Sequence, residues 1–342
     1  MQTEYDREFA ESPDEALANI GVTTRFLQLR KEREERAVPK NGPHFKIVLH
    51  PHARAHDLNG AYAFITEGHR VGIQIDSYEL VFDRAADPGE KNPQKLIQMG
   101  VIPICVGEGP WSKGRGEEPS VTLKVCRFLG LEDDPVYRKI MEVVESTHHS
   151  LGPGDWTRLM GFIRTYSLAH MDRPESSYTF FEEAVDSVRA EAIEEIRAQE
   201  DLRDPDRVLT FESKHRDRPV KVVAVFSDAS MITRAARKAP FNADVVIRGD
   251  SAGFALVSAR AGISLRKAVV HIRAEEYKLA GEEAPSDLAC EGVAGPTDRW
   301  VLKADGGWES IINGGFTAPN FPPTRISLRD IATRVVWGLE GV

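Results

Sequence analysis

Apolar and polar positions change style three times along the chain. Residues 1–44 are largely charged and end in the breaker cluster VPKNGPH, a pattern that predicts a polar extension with one helix around Val22 to Arg36. From Phe45 onward, short apolar runs of strand type follow at Phe45–Leu49, Val71–Ile75 and Val101–Val106. Between them lie helix-like stretches at Ala61–Ile65 and Pro93–Met99. Strand and helix in alternation predict a parallel sheet covered by helices over residues 45–133.

The style then turns helical. Asp134-Pro135 has the signature of a helix start, the acid as cap and the proline at the first helical position, and Tyr137, Ile140, Met141 and Val144 recur at helical spacing. Helices continue through Trp156–Leu168 and Tyr178–Ile196, so residues 134–204 form a helical linker region. After the polar break DLRDPDR, strands return at Val208–Phe211, Val220–Phe226, Ala243–Arg248 and Phe254–Ser258. The last two flank Gly249-Asp-Ser-Ala-Gly253, which predicts a hairpin. Helices at Ser230–Lys238 and Leu265–Leu279, and a last one starting at Ser327 with Asp330 as its box partner, complete a mixed α/β domain over 205–342. The expected fold class is α/β, with two domains joined by helices.

Composition narrows the class. With 342 residues, 41% hydrophobic and 28% charged, the chain is long enough for two cores and falls outside the disordered and fibrous classes. Its acidic first fifteen residues lack a secretory signal, and no apolar run approaches a membrane span, so a cytoplasmic protein without a membrane partner is expected. Cys105, Cys126 and Cys290 form no C-x-x-C pair and fit a reducing compartment as small buried hydrophobes. Net charge is −9, yet Arg203–Arg273 holds 14 Lys/Arg against 7 Asp/Glu. A basic segment in an acidic chain either concentrates an anionic ligand or forms a solvated basic face.

The densest chemistry is His50-Pro-His52-Ala-Arg-Ala-His56-Asp57, directly after the first predicted strand. Ligands gather at the carboxyl ends of strands in open α/β sheets, and three imidazoles with a carboxylate suit manganese, zinc or iron. The competing account makes Asp57 and one histidine cap the next helix. Thr147-His148-His149 ends a helical stretch, where imidazolium suits the helix dipole. Val106-Gly-Glu-Gly109 with Lys113-Gly-Arg-Gly116 is a glycine-rich loop matching no phosphate-binding fingerprint, and it is expected to be a turn. No Gly-x-Ser-x-Gly elbow supports serine catalysis. Arg248 and Ser251 at the hairpin, with Arg325 in Pro-Pro-Thr-Arg, are candidate phosphate contacts in a cleft between the domains.

The stretch Leu49-His50…Asp57, with the aspartate seven residues after the histidine, resembles the MYG1-like branch of the DHH phosphoesterase superfamily. So do Val125–Pro135, Asp244–Arg248, Ile272–Glu276 and Ile312–Gly315 through Pro322–Leu328. The resemblance implies a DHH-like first domain whose histidines and aspartate bind divalent metal. It departs in three places: Ala55 stands at the second histidine, Cys105 at a strand-end aspartate, and no Asp-His-His follows between Trp111 and Val121. Bridging carboxylates for a metal pair reduce to Asp57 and Asp76, the latter at the end of the second predicted strand. Two functions follow. One is a metal-dependent phosphoesterase or nuclease acting on a phosphate-bearing small molecule or short nucleic acid; the other is an inactive binding or scaffold protein that keeps the fold.

Overall fold

The computed structural model describes residues 13–37, 42–51, 53–112, 120–146, 173–305, 307–314 and 321–341. The chain divides into two compact units, one made of Thr23–Ile193 and the other of Glu194–Val342 with the chain before Thr23. The division falls inside two long helices, α1 (Pro13–Ala37) and α6 (Pro174–Arg203), rather than at the polar break after residue 200. It is an α/β architecture with a small parallel sheet and a larger mixed one. No helix among the described residues is long and apolar enough to cross a membrane.

In the first unit the parallel sheet has the order β2–β1–β3, from β1 (His44–Leu49), β2 (Ser77–Val81) and β3 (Val101–Ile104). Helix α2 (Ala55–Glu67) follows β1, α3 (Pro93–Gln98) precedes β3, and α4 (Val121–Leu129) and α5 (Pro135–Ser146) come after it. Asp134 caps α5 as expected, its Oδ1 accepting from the backbone N–H of Val136 at 2.9 Å and of Tyr137 at 3.1 Å. Helices α5 and α6 do not act as a separate linker in this unit. Tyr137, Ile140, Val144, Phe181 and Val185 are buried in one core with Ile47, Leu49, Phe64 and Ile104. Phe64 meets Trp111 edge-on at 4.8 Å, a geometry that adds about 1 kcal/mol beyond area burial. The N-terminal stretch is also more than a polar extension, since Leu29 of α1 is buried.

The expected strand at Val71–Ile75 is absent. Residues Gly68–Val71 extend α2 by a 3-10 turn, and the strand begins six residues later, at Ser77. Its register places Ser77 beside His44, so Asp76 lies at the amino end of the parallel sheet. The expected helix at Trp156–Leu168 and the Thr147-His148-His149 cluster lie outside the described residues.

In the second unit six strands run β4 (Val208–His215), β5 (Arg218–Phe226), β6 (Val245–Gly249), β7 (Ala255–Ala259), β9 (Trp308–Asn313) and β8 (Val301–Asp305), in that spatial order. Only β5 and β6 pair in parallel, joined through α7 (Ile232–Ala236); the predicted hairpin is the antiparallel β6–β7 pair. Side-chain alternation sets two faces. Val222, Ala224, Val245, Ile247 and Val257 pack under α8 (Arg266–Ala280) and α9 (Leu328–Glu340). Val223, Val225 and Val246 pack on Ala198 and Leu202 of α6 and on α7.

Candidate functional site

Three parallel strands end together, and the loops at their carboxyl ends form the candidate rim. His50 follows β1, Asp83 and Arg84 follow β2, and Cys105 and Gly107 follow β3. Rims of this kind collect ligands because several loops converge there without steric blockage from the sheet. Arg84 sits in a short 3-10 turn capped by Asp83, whose Oδ1 accepts from Ala85 N–H at 2.9 Å. The exposed Arg84 guanidinium meets Nε2 of His50, so that ring nitrogen faces a permanent cation. Gly107 takes a positive φ of 58°, and any side chain there would run into the carboxylate of Asp87, which brings a further acid to this rim.

At the start of α2, His56 and Asp57 are both buried. His56 Nε2 lies 3.2 Å from Asp57 Oδ1, while Asp57 Oδ2 accepts the backbone N–H of Arg54 at 2.8 Å. Asp57 thus occupies the third helical position and reaches back to the cap residue, the work of a capping-box acid. Thr122 Oγ1 donates to the His56 carbonyl at 3.0 Å and ties this turn to α4.

The four-ligand set is only partly brought together. His56 and Asp57 touch, His50 engages Arg84, and His52 lies outside the described residues. Among the described residues no three His, Cys, Asp or Glu side chains converge in a way that would hold a metal ion. A guanidinium against His50 opposes a divalent cation at that imidazole, so the described donors do not fit the metal that the DHH resemblance implies. Asp76 is corrected as a partner of Asp57, because it sits at the opposite end of the strands, bonded to Gln74 Nε2 at 2.9 Å. Asp83 and Asp87 are acids that do reach the rim, and a second strand expected at Val71–Ile75 hides them because β2 starts only at Ser77 and its loop follows Val81.

The glycine-rich loop is a packed turn over its described part. Cys105 N–H donates to Trp111 O at 3.0 Å, Ser112 N–H to Gly109 O at 3.1 Å, and Ser112 Oγ–H to Val106 O at 2.5 Å. Trp111 is buried beneath it, and residues 113–116 lie outside the described residues.

The three phosphate candidates of the second unit do not converge. Arg248 follows Val246 on the face covered by α6 and α7, where its Nε donates to Ser227 O at 3.0 Å. Burial pulls its pKa down, partly offset by Asp250, Asp228 and Glu194. Ser251 spends both N–H and Oγ–H on Asp228 Oδ1, each at 2.9 Å, so a carboxylate of the chain already holds the donors meant for a phosphate. Arg325 belongs to the other face: its N–H and Nη1 reach Glu276 Oε1 of α8 at 3.1 and 3.5 Å. Arg248 and Arg325 are thus engaged on different faces of the sheet, although Thr324 N–H donates to Gly253 O at 3.2 Å and brings the Pro-Pro-Thr-Arg segment to the hairpin turn.

Three cations of the 203–273 segment are spent inside the fold, whereas Lys214, Arg216, Arg234 and Lys267 among others are exposed. Arg273 is fully buried, its Nε 2.8 Å from Asp298 Oδ2, with Nη1 on Leu288 O and Cys290 O and Nη2 on Trp300 O. Arg260 donates to the carbonyls of Ala243 and Arg237, and Arg237 lies over the Trp308 ring at 5.3 Å.

No family model matches the chain, and no curated protein does. Among solved structures, the crystal structure of an uncharacterized protein from Helicobacter pylori G27 is similar at 10% identity over 87% of this chain and 99% of that chain, with a TM-score of 0.23. A likeness of that size bears on neither fold nor function.

Proposed function

We propose that this is a diverged DHH-type protein whose sheet rim binds a phosphate-bearing ligand without hydrolysing it. The observation that carries the proposal is the exposed Arg84 set against His50 at the carboxyl end of the parallel sheet. A planar guanidinium offers two parallel N–H donors to a phosphate, and the His50 imidazole beside it adds a hydrogen-bonding group. Arg54, exposed in the loop between β1 and α2, adds a second cation to this side of the sheet, and Asp57 is committed to a helix start rather than to water activation. Binding of inorganic phosphate and mononucleotides, measured by calorimetry at two salt concentrations, tests it. Affinity should fall as salt rises and be lost in Arg84→Ala; salt-independent binding, or binding unchanged in that variant, removes the rim from consideration.

One observation favours hydrolysis instead: the buried His56–Asp57 contact shares the rim with Asp83 and Asp87. In that reading His56, Asp57, Asp83 and Asp87 would have to gather around a divalent metal, an arrangement that the described residues do not show. Titration with Mn²⁺ or Zn²⁺ separates the two. Stoichiometric uptake that disappears in His50→Ala/Asp57→Asn supports a metal-dependent phosphoesterase, and no uptake supports a binding protein.

A further inference from the structure

Three elements of the first unit enclose a polar cluster that the rim does not use. Helix α1 presents Val22, Arg25, Phe26, Leu29 and Arg33 at helical spacing as its less exposed stripe, and Leu29 is buried. Arg33 Nη1 lies 3.4 Å from Glu182 Oε2 and 3.1 Å from Asp186 Oδ2, two acids one turn apart on α6. Both carboxyl groups are nearly inaccessible, at 5% and 2% exposure. One cation therefore stands against two carboxylates in a place where an uncompensated charge is costly.

The two acids are not equivalent. Asp186 has a well-formed second donor, Tyr62 O–H of α2 at 2.7 Å, while Glu182 Oε1 has no well-formed bond and only the Tyr178 hydroxyl, one turn back on α6, beside it to weaken the effect of burial. The other titratable groups facing them are Tyr78 of β2 and Tyr178 and Glu183 of α6, with Arg189 of α6 acting on Asp186. None adds a second cation beside Glu182; Arg30 of α1 pairs outward with Glu183 at 3.9 Å.

We propose that the seating of residues 23–37 of α1 on α6 is proton-gated: Arg33 neutralises Asp186, and Glu182 must carry a proton for the helix to stay docked. Burial, opposed by Arg33, pushes the Glu182 carboxyl up to about 7. Once α1 leaves, Glu182 meets water and its acidity returns toward the ordinary carboxylate range. A carboxyl whose pKa is raised in the docked state favours docking below that pKa and loses the advantage as pH rises through it. The helix is thus held at pH 6 and loosened at pH 8.

Hydrogen–deuterium exchange on the full chain at pH 6 and pH 8, corrected for intrinsic rates, reads the effect directly. With a docked pKa near 7, protection of peptides within 23–37 should fall about tenfold between those pH values. Peptides within 328–340 of α9 should not change. Glu182→Gln, a neutral isostere of the protonated acid, should keep the helix protected at both pH values. Wild-type protection that is flat from pH 6 to 8, an equal fall in the α9 peptides, or a tenfold fall that persists in Glu182→Gln each overturns the proposal.

Discussion

Charged side chains do different work here according to how much water they keep. Arg273 has none, and its guanidinium ties the 288–300 stretch to α8 through Asp298 and the backbone carbonyls of Leu288, Cys290, Gly292 and Trp300. Arg273→Met leaves Asp298 buried without its partner and should lower stability by about 3–5 kcal/mol in urea unfolding. Arg325, 40% exposed at its side chain and 3.5 Å from Glu276, is screened, and Arg325→Ala should cost at most about 1 kcal/mol by the same measurement. If the two variants unfold at equal denaturant concentration, burial does not rank these arginines. In the sequence Arg273 closes a basic segment and Arg325 stands in Pro-Pro-Thr-Arg, and neither setting says how deep the side chain goes; only neighbours drawn from distant positions distinguish an internal clamp from a surface ion pair.

At the level of elements, end chemistry was legible where it is local. Ser327 caps α9, accepting Asp330 N–H at 3.1 Å, and Ser327→Ala should cost about 1 kcal/mol in thermal unfolding. Asp57 has the same kind of job at α2. Asp57→Ala should therefore lower stability by about 1 kcal/mol in metal-free buffer with excess chelator, and an effect that appears only when metal is present would assign the residue to a metal instead. Gly338 shows the opposite case. A Cβ there would collide with the backbone of Ala268, so α8 and α9 cross in close contact, and Gly338→Ala should destabilise by about 1–3 kcal/mol despite better helix propensity. Periodicity misplaced β2 for a related reason. Val71–Ile75 is apolar because Ile73 is buried against the end of α2, and a five-residue apolar run looks the same whether a sheet or a helix end covers it.

For the molecule as a whole, the division inside α6 has a measurable consequence. Ala198 and Leu202 of α6 belong to the core that holds Val223, Val225 and Val246. A fragment of 205–342, the boundary drawn from the polar break, loses both side chains, whereas 194–342 keeps them. The shorter fragment should melt lower than the longer by several degrees, since two truncated core contacts cost about 2–5 kcal/mol. Equal melting temperatures would place the natural boundary at the polar break after all.

The sequence by itself determined the α/β class, most strand and helix positions, the caps at Asp134 and Ser327 and the β6–β7 hairpin, because each depends on residues within one or two turns. It also brought His50, His56 and Asp57 to one end of β1, since a strand followed closely by a helix leaves little choice. Tertiary structure alone decided the rest. Which arginine meets which acid, which face of the six-stranded sheet carries Arg248 and which Arg325, and that Asp83 rather than Asp76 reaches the rim all follow from register and face, set by pairing between segments far apart in the chain.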